Sequence, residues 1–152
     1  MCIRDRASLI LYKDNLILNA VEENGHIYSV DRKDGSIQWE FDTKSKLVYS
    51  TPNLLETKDG NMELIVPVPL KVYGVDPDTG KEKWFATTTL QNEMNASVIV
   101  KDGVAYMYGG FRGVGSLAVQ GGGSGDVTES HVKWATKDTS CLLYTSPSPR
   151  DS

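Results

Sequence analysis

Two segments of this 152-residue chain carry the same pattern of Asp, Gly and Trp, and this repeat limits the folds that the chain can adopt. Residues 29–39 (SVDRKDGSIQW) and residues 74–84 (GVDPDTGKEKW) align without gaps, and their tryptophans lie 45 positions apart. In each segment a tyrosine precedes the first Asp by three residues, and a valine stands directly before that Asp. A third copy, longer by six residues, spans residues 117–134. A period of about 45 residues made of short strands is typical of the blades of a β-propeller.

Four short apolar or alternating runs follow one another within each period, which indicates a four-stranded blade. In the middle unit the runs are residues 47–55, 63–68, 71–75 and 83–88, and in the third unit they are 96–100, 104–108, 115–119 and 132–136. No window carries a sustained apolar period of 3.6 residues, so we expect essentially no helix. The predicted fold is all-β, with about three four-stranded antiparallel blades of a ring of seven or eight.

The two ends of the chain match translated sequencing-adapter sequence, as found in metagenomic reads. Residues 1–5 (MCIRD) and 141–151 (CLLYTSPSPRD) correspond to the two strands of one transposon end, the second continuing into its adapter. Such segments are excluded from fold reasoning. We therefore expect non-native residues at 1–6 and at a disordered 141–152. The domain boundaries that follow are blade 1 at 7–45, blade 2 at 46–90, and blade 3 at 91–140 with a glycine-rich insertion at 121–126.

Composition removes several function classes once these ends are set aside. Both cysteines, Cys2 and Cys141, lie in the ends, so zinc ribbons, thiol catalysis and disulfide scaffolds are excluded for the native segment. Of 16 basic and 20 acidic residues, three arginines and two aspartates belong to the ends, which leaves 13 and 18. This acidic balance argues against nucleic acid as a partner. No apolar run approaches the roughly 18 residues that a membrane-spanning helix needs.

The spacing small-x-Asp-x-x-(Thr/Asp)-Gly-x-x-x-Trp resembles the tryptophan-docking motif of the pyrroloquinoline-quinone-type (PQQ-type) propeller repeat, over nearly all of residues 7–140. That family includes quinoprotein alcohol dehydrogenases and a propeller lipoprotein of the outer-membrane assembly machinery. The resemblance implies that Asp and Gly close a turn and that Trp packs between blades. The motif residues are Asp31, Gly35, Trp39, Asp76, Gly80, Trp84 and Trp134. The third unit departs from the motif, with Gln120 in place of Asp and Ser130 in place of Gly.

Two functions stay open under this resemblance. Alcohol-oxidising members are expected to show an adjacent Cys-Cys pair, a Trp beneath the quinone, and Asp, Glu and Asn around calcium. The native segment has no cysteine, and its acidic residues fall mostly in the turn motif. We therefore expect a non-catalytic scaffold in the cell envelope, periplasmic or secreted, without catalytic, cofactor or metal residues in this chain. Its expected partners are a protein or peptide and the remaining blades of its own ring. The alternative is part of a PQQ- and calcium-dependent alcohol or sugar dehydrogenase whose catalytic blades are missing.

A candidate ligand face follows from the geometry of a blade. The connection that enters the innermost strand and the hairpin between the second and third strands open on the same face, and loops on a rigid scaffold often carry binding. The polar residues expected there are Lys46, Tyr49, Asn92, Glu93, Asn95 and Arg112. Two glycine-rich runs have simpler interpretations. Residues 109–115 lack the Gly-Lys-Ser/Thr ending of a phosphate loop and predict a hairpin, and residues 121–125 predict a flexible insertion.

Overall fold

The computed structural model describes residues 9–46, 48–91, 96–109 and 115–136, which form three sheets. The first sheet contains β1 (Ile10–Tyr12), β2 (Asn15–Ala20), β3 (His26–Asp31) and β4 (Ile37–Asp42), paired in chain order and antiparallel throughout. A single helical turn, α1 (Val21–Asn24), lies between β2 and β3. The predicted non-native segments 1–6 and 141–152 lie outside the described residues.

The other two sheets follow the same plan. The second contains β5 (Asn53–Glu56), β6 (Met62–Val68), β7 (Lys71–Val75) and β8 (Glu82–Thr87). The third contains β9 (Ile99–Lys101), β10 (Val104–Gly109), β11 (Gly115–Gln120) and β13 (Val132–Thr136), and between β11 and β13 lie β12 (Gly125–Asp126) and α2 (Thr128–His131). The prediction of an all-β propeller fragment is confirmed. Both helices of the described residues have only four residues, so neither is long enough to cross a membrane.

The three blades share one irregularity at the end of their third strand. In each blade the pairing with the outermost strand shifts register directly before the last valine of the third strand, between Ser29 and Val30 in the first. Directly opposite the tryptophans stand three small residues, in the pairs Ser29 with Trp39, Gly74 with Trp84, and Ala118 with Trp134. A small residue at this position leaves room for the indole above the sheet.

The middle sheet differs from the prediction because it has a fifth strand. β12 comes from the third repeat, yet it pairs in parallel with the outer edge of β8, with Gly125 beside Trp84 and Asp126 beside Phe85. The prediction of four antiparallel strands in every blade is therefore incomplete for the second. A Gly/Ser-rich run has no apolar periodicity, so its sequence carries no signal for strand pairing.

The innermost strand of blade 2 begins later than expected, at Asn53 rather than at residue 47. Pro52 lacks a backbone N–H and cannot donate to a ladder. The segment before it is held by side chains instead. Asn19 of blade 1 donates from Nδ2 to the carbonyl oxygen of Ser50 at 2.8 Å. The connection between the first two blades is thus tied to the blade that precedes it.

Burial reflects the position of each blade. In β6 of the middle blade, residues 63–68 are all buried, whereas in β10 of the third blade buried residues alternate with partly exposed ones. A strand covered on both faces is buried continuously, and a strand covered on one face alternates. Blade 2 is therefore packed between blades 1 and 3.

Candidate functional site

The Asp and Gly of the repeat close the same turn in blades 1 and 2. Asp76 accepts hydrogen bonds at Oδ1 from the backbone N–H of Asp78 at 2.8 Å and of Thr79 at 3.3 Å. Gly80 closes the turn by donating its N–H to the Asp76 carbonyl at 2.8 Å, with a φ of +70° that glycine adopts without strain. In blade 1, Asp31 and Gly35 form the equivalent turn, with a φ of +73° at Gly35.

The turn of blade 2 receives the tryptophan of blade 1. Trp39 is 8% exposed, and its Nε1–H donates to the carbonyl oxygen of Pro77 at 3.0 Å. The ring lies so close to Gly80 that a Cβ there would be 2.6 Å from the indole. The equivalent position of blade 1, Gly35, has no atom within 4 Å of such a Cβ, and Trp134 of blade 3 is 45% exposed. Trp39 therefore packs against the turn glycine of the next blade. The space beside the equivalent glycine of blade 1 is empty within the described part of the chain.

The tryptophan of blade 2 is held differently. Trp84 is fully buried, packs on Gly74 of its own blade, and donates from Nε1 to Oε2 of Glu63 at 2.8 Å. The same carboxylate oxygen accepts the backbone N–H of Gly122 from blade 3 at 3.0 Å. Lys83 Nζ lies 2.7 Å from the other oxygen, Oε1. The second interface is thus built around a buried carboxylate.

Residues 121–131, which we call the strap, carry blade 3 across to blade 2. The Val127 N–H donates to the Phe85 carbonyl at 2.9 Å, and the Thr87 N–H donates to Oγ1 of Thr128 at 2.9 Å. Val127 is buried, at 2% exposure. Hydrogen bonds from Thr128 hold the pKa of the Asp126 carboxyl below its usual value. The glycine-rich insertion, expected as a flexible segment, is hydrogen-bonded to the neighbouring blade along this length.

The predicted ligand face is described only in part. Lys46 is exposed and Tyr49 is half-buried, both in the connection between blades 1 and 2. The other four predicted residues lie outside the described parts of the chain: Asn92, Glu93, Asn95 and Arg112. Whether these six side chains come together therefore stays a prediction.

Sequence reasoning missed one residue on this face, Leu70, in the hairpin between β6 and β7. Its N–H donates to the Leu90 carbonyl at 2.7 Å, and its own carbonyl accepts the Thr88 N–H at 2.8 Å. In blade 1 the carbonyl of Gly25 accepts the N–H of Thr43, which stands 45 residues before Thr88. Both hairpin residues are left-handed, with φ of +85° at Gly25 and +66° at Leu70. An alignment of Thr43 with Thr88 places Leu70 at the position of Gly25, and this could have identified Leu70 from the sequence.

An open groove lies on the opposite face, between the hairpins that join the first two strands of blades 2 and 3. It has a volume of about 400 Å³ and is lined by Glu56, Thr57, Lys58, Asp102 and Gly103. On the same face, between blades 1 and 2, Lys13 and the hydroxyl of Tyr12 both donate to Asp78. The lining is polar and charged, which suits a hydrated polar group better than a flat apolar cofactor.

Among the described residues, no group of three or more His, Cys, Asp or Glu side chains is arranged to hold a metal ion. The acidic residues of the repeat instead accept backbone hydrogen bonds in turns, as Asp31 and Asp76 do.

Comparison with known proteins gives concordant results. The family model described as outer membrane protein assembly factor BamB matches residues 6–148. The beta-alanine-activating enzyme of Danio rerio is 29% identical over 97 residues, covering 62% of this chain and 8% of that protein. A quinohemoprotein alcohol dehydrogenase from Comamonas testosteroni superposes with a TM-score of 0.66 at 14% identity, covering 87% of this chain and 21% of that one. BamB from Moraxella catarrhalis gives 0.57 at 11% identity, covering 88% and 35%.

These likenesses differ in what they establish. The structural neighbours are less than 25% identical to this chain, so they show a shared fold. The chain also spans only 8% of its curated relative and 21% to 35% of the two structures. The family match, in contrast, extends over most of the sequence.

Proposed function

The chain belongs to the PQQ-type propeller family described as outer membrane protein assembly factor BamB, and on that premise we propose that it is a non-catalytic scaffold that binds a protein partner in the cell envelope. The proposal places it in the periplasm or outside the cell, as part of a ring of seven or eight blades. The observation that carries the proposal is the conformation and exposure of Leu70.

Leu70 occupies a backbone position that blade 1 fills with glycine. A left-handed conformation costs a non-glycine residue about 1–2 kcal/mol, and Gly25 shows that the repeat can avoid this cost. The leucine side chain remains 49% exposed, so burial within the described residues does not offset the strain. Strained residues that the fold does not require are found preferentially at functional sites. An apolar contact with a partner would account for a leucine here.

The surroundings of Leu70 suggest a protein segment as the partner. The hairpin is fixed by two backbone hydrogen bonds to residues 88 and 90, so the side chain is presented from a rigid support. Exposed Lys46 lies in the connection between blades 1 and 2, which is expected to open on the same face as this hairpin. An apolar anchor with polar neighbours is typical of protein interfaces. We propose that Tyr49, Asn92, Glu93, Asn95 and Arg112 extend this surface.

The variant Leu70→Gly separates partner binding from folding. Because glycine is the residue that blade 1 uses, we expect the variant to unfold at the same temperature or higher, with a gain of up to about 1 kcal/mol. We expect partner binding to fall, because the apolar anchor is lost. Thermal melts and crosslinking yield measure the two effects independently.

Crosslinking tests the surface directly. The chain would be exported to the periplasm of a Gram-negative host with a photo-crosslinking amino acid at position 70, or at position 37 as a control. Ile37 is 63% exposed but lies on the outermost strand of blade 1. The proposal predicts a discrete protein adduct from position 70 only. No adduct at 70, or the same adducts from both positions, would contradict it.

The competing function is a PQQ-dependent dehydrogenase, because one of the structural neighbours is a quinohemoprotein alcohol dehydrogenase. A titration of the complete ring protein that contains this chain with PQQ and calcium, followed by absorbance, discriminates the two. We expect no saturable binding. Tight, calcium-dependent binding, with dye reduction on addition of an alcohol, would overturn the scaffold proposal.

A further inference from the structure

Glu63 is the one charged side chain among the described residues that is completely buried. It stands at the start of the continuously buried part of β6, where every following residue up to Val68 is apolar. A carboxylate removed from water without partners costs several kcal/mol, so a buried one is retained only where its surroundings stabilise the charge. No turn or cap of blade 2 uses this carboxylate.

Two hydrogen-bond donors and one ammonium group surround the carboxylate, and they come from two blades. Oε2 accepts the indole N–H of Trp84 at 2.8 Å and the backbone N–H of Gly122 at 3.0 Å. Lys83 Nζ lies 2.7 Å from Oε1 as an ion pair, at an angle outside hydrogen-bond geometry. The lysine side chain is 32% exposed, so its ammonium group reaches solvent while the carboxylate does not.

At the first interface the next blade supplies a hydrogen-bond acceptor, whereas at the second interface it supplies a donor. The turn of blade 2 offers an acceptor, the Pro77 carbonyl, to the indole N–H of Trp39. At the second interface the strap offers a donor, the Gly122 N–H, to an anion. Glu63 directly precedes the residue that pairs with the last valine of the third strand. The equivalent position is taken by Asn15 in blade 1 and by Val104 in blade 3. Neither of these residues carries a charge.

We propose that Glu63 determines which blade can follow blade 2. Its buried charge selects a neighbour that presents backbone N–H groups, as the strap does, and rejects a neighbour with the Asp–Gly turn, whose carbonyl would face the carboxylate. Discrimination of this kind combines an attractive contact with a repulsive one against the wrong partner. Buried ionic groups that fix one arrangement among several similar ones are known in other folds. This inference does not rest on the proposed scaffold function.

An exchange of turns tests the selectivity in the full chain. Residues 120–131 are replaced by residues 76–81, which removes the six extra residues of the third repeat and installs the standard turn. Both chains are made with Glu63 and with Glu63→Asn, the residue type of blade 1. With the strap, we expect the Glu63 chain to melt at the higher temperature. With the standard turn, we expect this order to reverse. The same order in both chains would overturn the proposal.

Hydrogen exchange in single-residue variants provides a second readout, which does not require the chain with the replaced turn to fold. In Glu63→Leu, and more weakly in the isosteric Glu63→Gln, we expect exchange of the Gly122 amide and the Trp84 indole N–H to quicken. Removing one partner of a buried pair is strongly destabilising, and the partial exposure of Lys83 reduces the loss, so the expected increase in exchange rate is at least about tenfold. Amides of Ile17 and Ile27 in blade 1 serve as internal controls. Unchanged protection at Gly122 would show that Glu63 does not hold the strap.

Discussion

The two blade interfaces of this chain join similar sheets through different chemistry. At the first, Trp39 fits against Gly80 and donates to the backbone carbonyl of Pro77, so the buried tryptophan contact is made by the turn of the repeat. At the second, Trp84 turns back onto Gly74 and donates to Glu63, and a strap from blade 3 completes the contact. A buried contact made from the turn of the repeat can recur around a ring, whereas the contact built on the buried Glu63 carboxylate selects its neighbour.

The largest effect should come from the tryptophans themselves. Trp84→Ala removes a fully buried ring and leaves the Glu63 carboxylate without its indole donor, so we expect a loss of about 3–5 kcal/mol in the free energy of unfolding. Trp134→Ala removes a ring that is 45% exposed and should cost below about 1 kcal/mol. Denaturant titrations of both variants measure the difference. Equal losses would mean that Trp134 is buried in solution.

Two glycines with the same backbone conformation sharpen the comparison. Gly35→Ala introduces a methyl group into open space, so its cost is the left-handed conformation alone, about 1–2 kcal/mol. Gly80→Ala has the same conformational cost and also drives a Cβ into the Trp39 ring, which raises the expected loss to about 2–4 kcal/mol. Thermal melts of the two variants compare them. If Gly80→Ala lowers the melting temperature no more than Gly35→Ala does, the Trp39 ring does not pack against Gly80.

The smallest effect should come from the exposed pair that spans the first interface. The hydrogen bond from Lys13 lowers the pKa of the Asp78 carboxyl, and both side chains are more than half exposed. A carboxyl whose pKa is lowered by folding stabilises the folded state above its ordinary pKa of about 4. This contribution is lost as the pH falls through the lowered pKa. The difference in melting temperature between the wild type and Asp78→Asn should therefore be small at neutral pH, vanish in acid, and shrink in high salt.

Much of the fold could be predicted because the repeat is local. The Asp, Gly and Trp of the first two units lie within eleven residues, and the strands at 71–75 and 132–136 have the bounds that apolar alternation and turn residues indicated. Pairing of such strands requires only neighbouring segments of the chain. The family resemblance, read from the same motif, is confirmed by the family match over residues 6–148.

The features that distinguish the second interface could not be predicted in the same way. Glu63 contacts Gly122, 59 positions away, and neither residue belongs to a recognisable motif. The strap consists largely of small and polar residues, whose lack of periodicity gives no signal for a parallel strand. One hint was available, since a charged residue beginning an apolar strand indicates a buried partner. Leu70 lies between the predicted strands at 63–68 and 71–75, and only the equivalent glycine of blade 1 reveals its strained backbone.

The exchange rates of the three indole N–H groups test most directly whether the two interfaces differ in chemistry, because each tryptophan belongs to a different blade. Two-dimensional NMR after transfer into D₂O would resolve them. We expect slow exchange for Trp39 and Trp84, which donate to Pro77 and Glu63, and rapid exchange for Trp134. In Glu63→Gln, only the Trp84 signal should lose protection. Rapid exchange of all three in the wild type, or loss of protection at Trp39 in the variant, would contradict two separate interfaces of different chemistry.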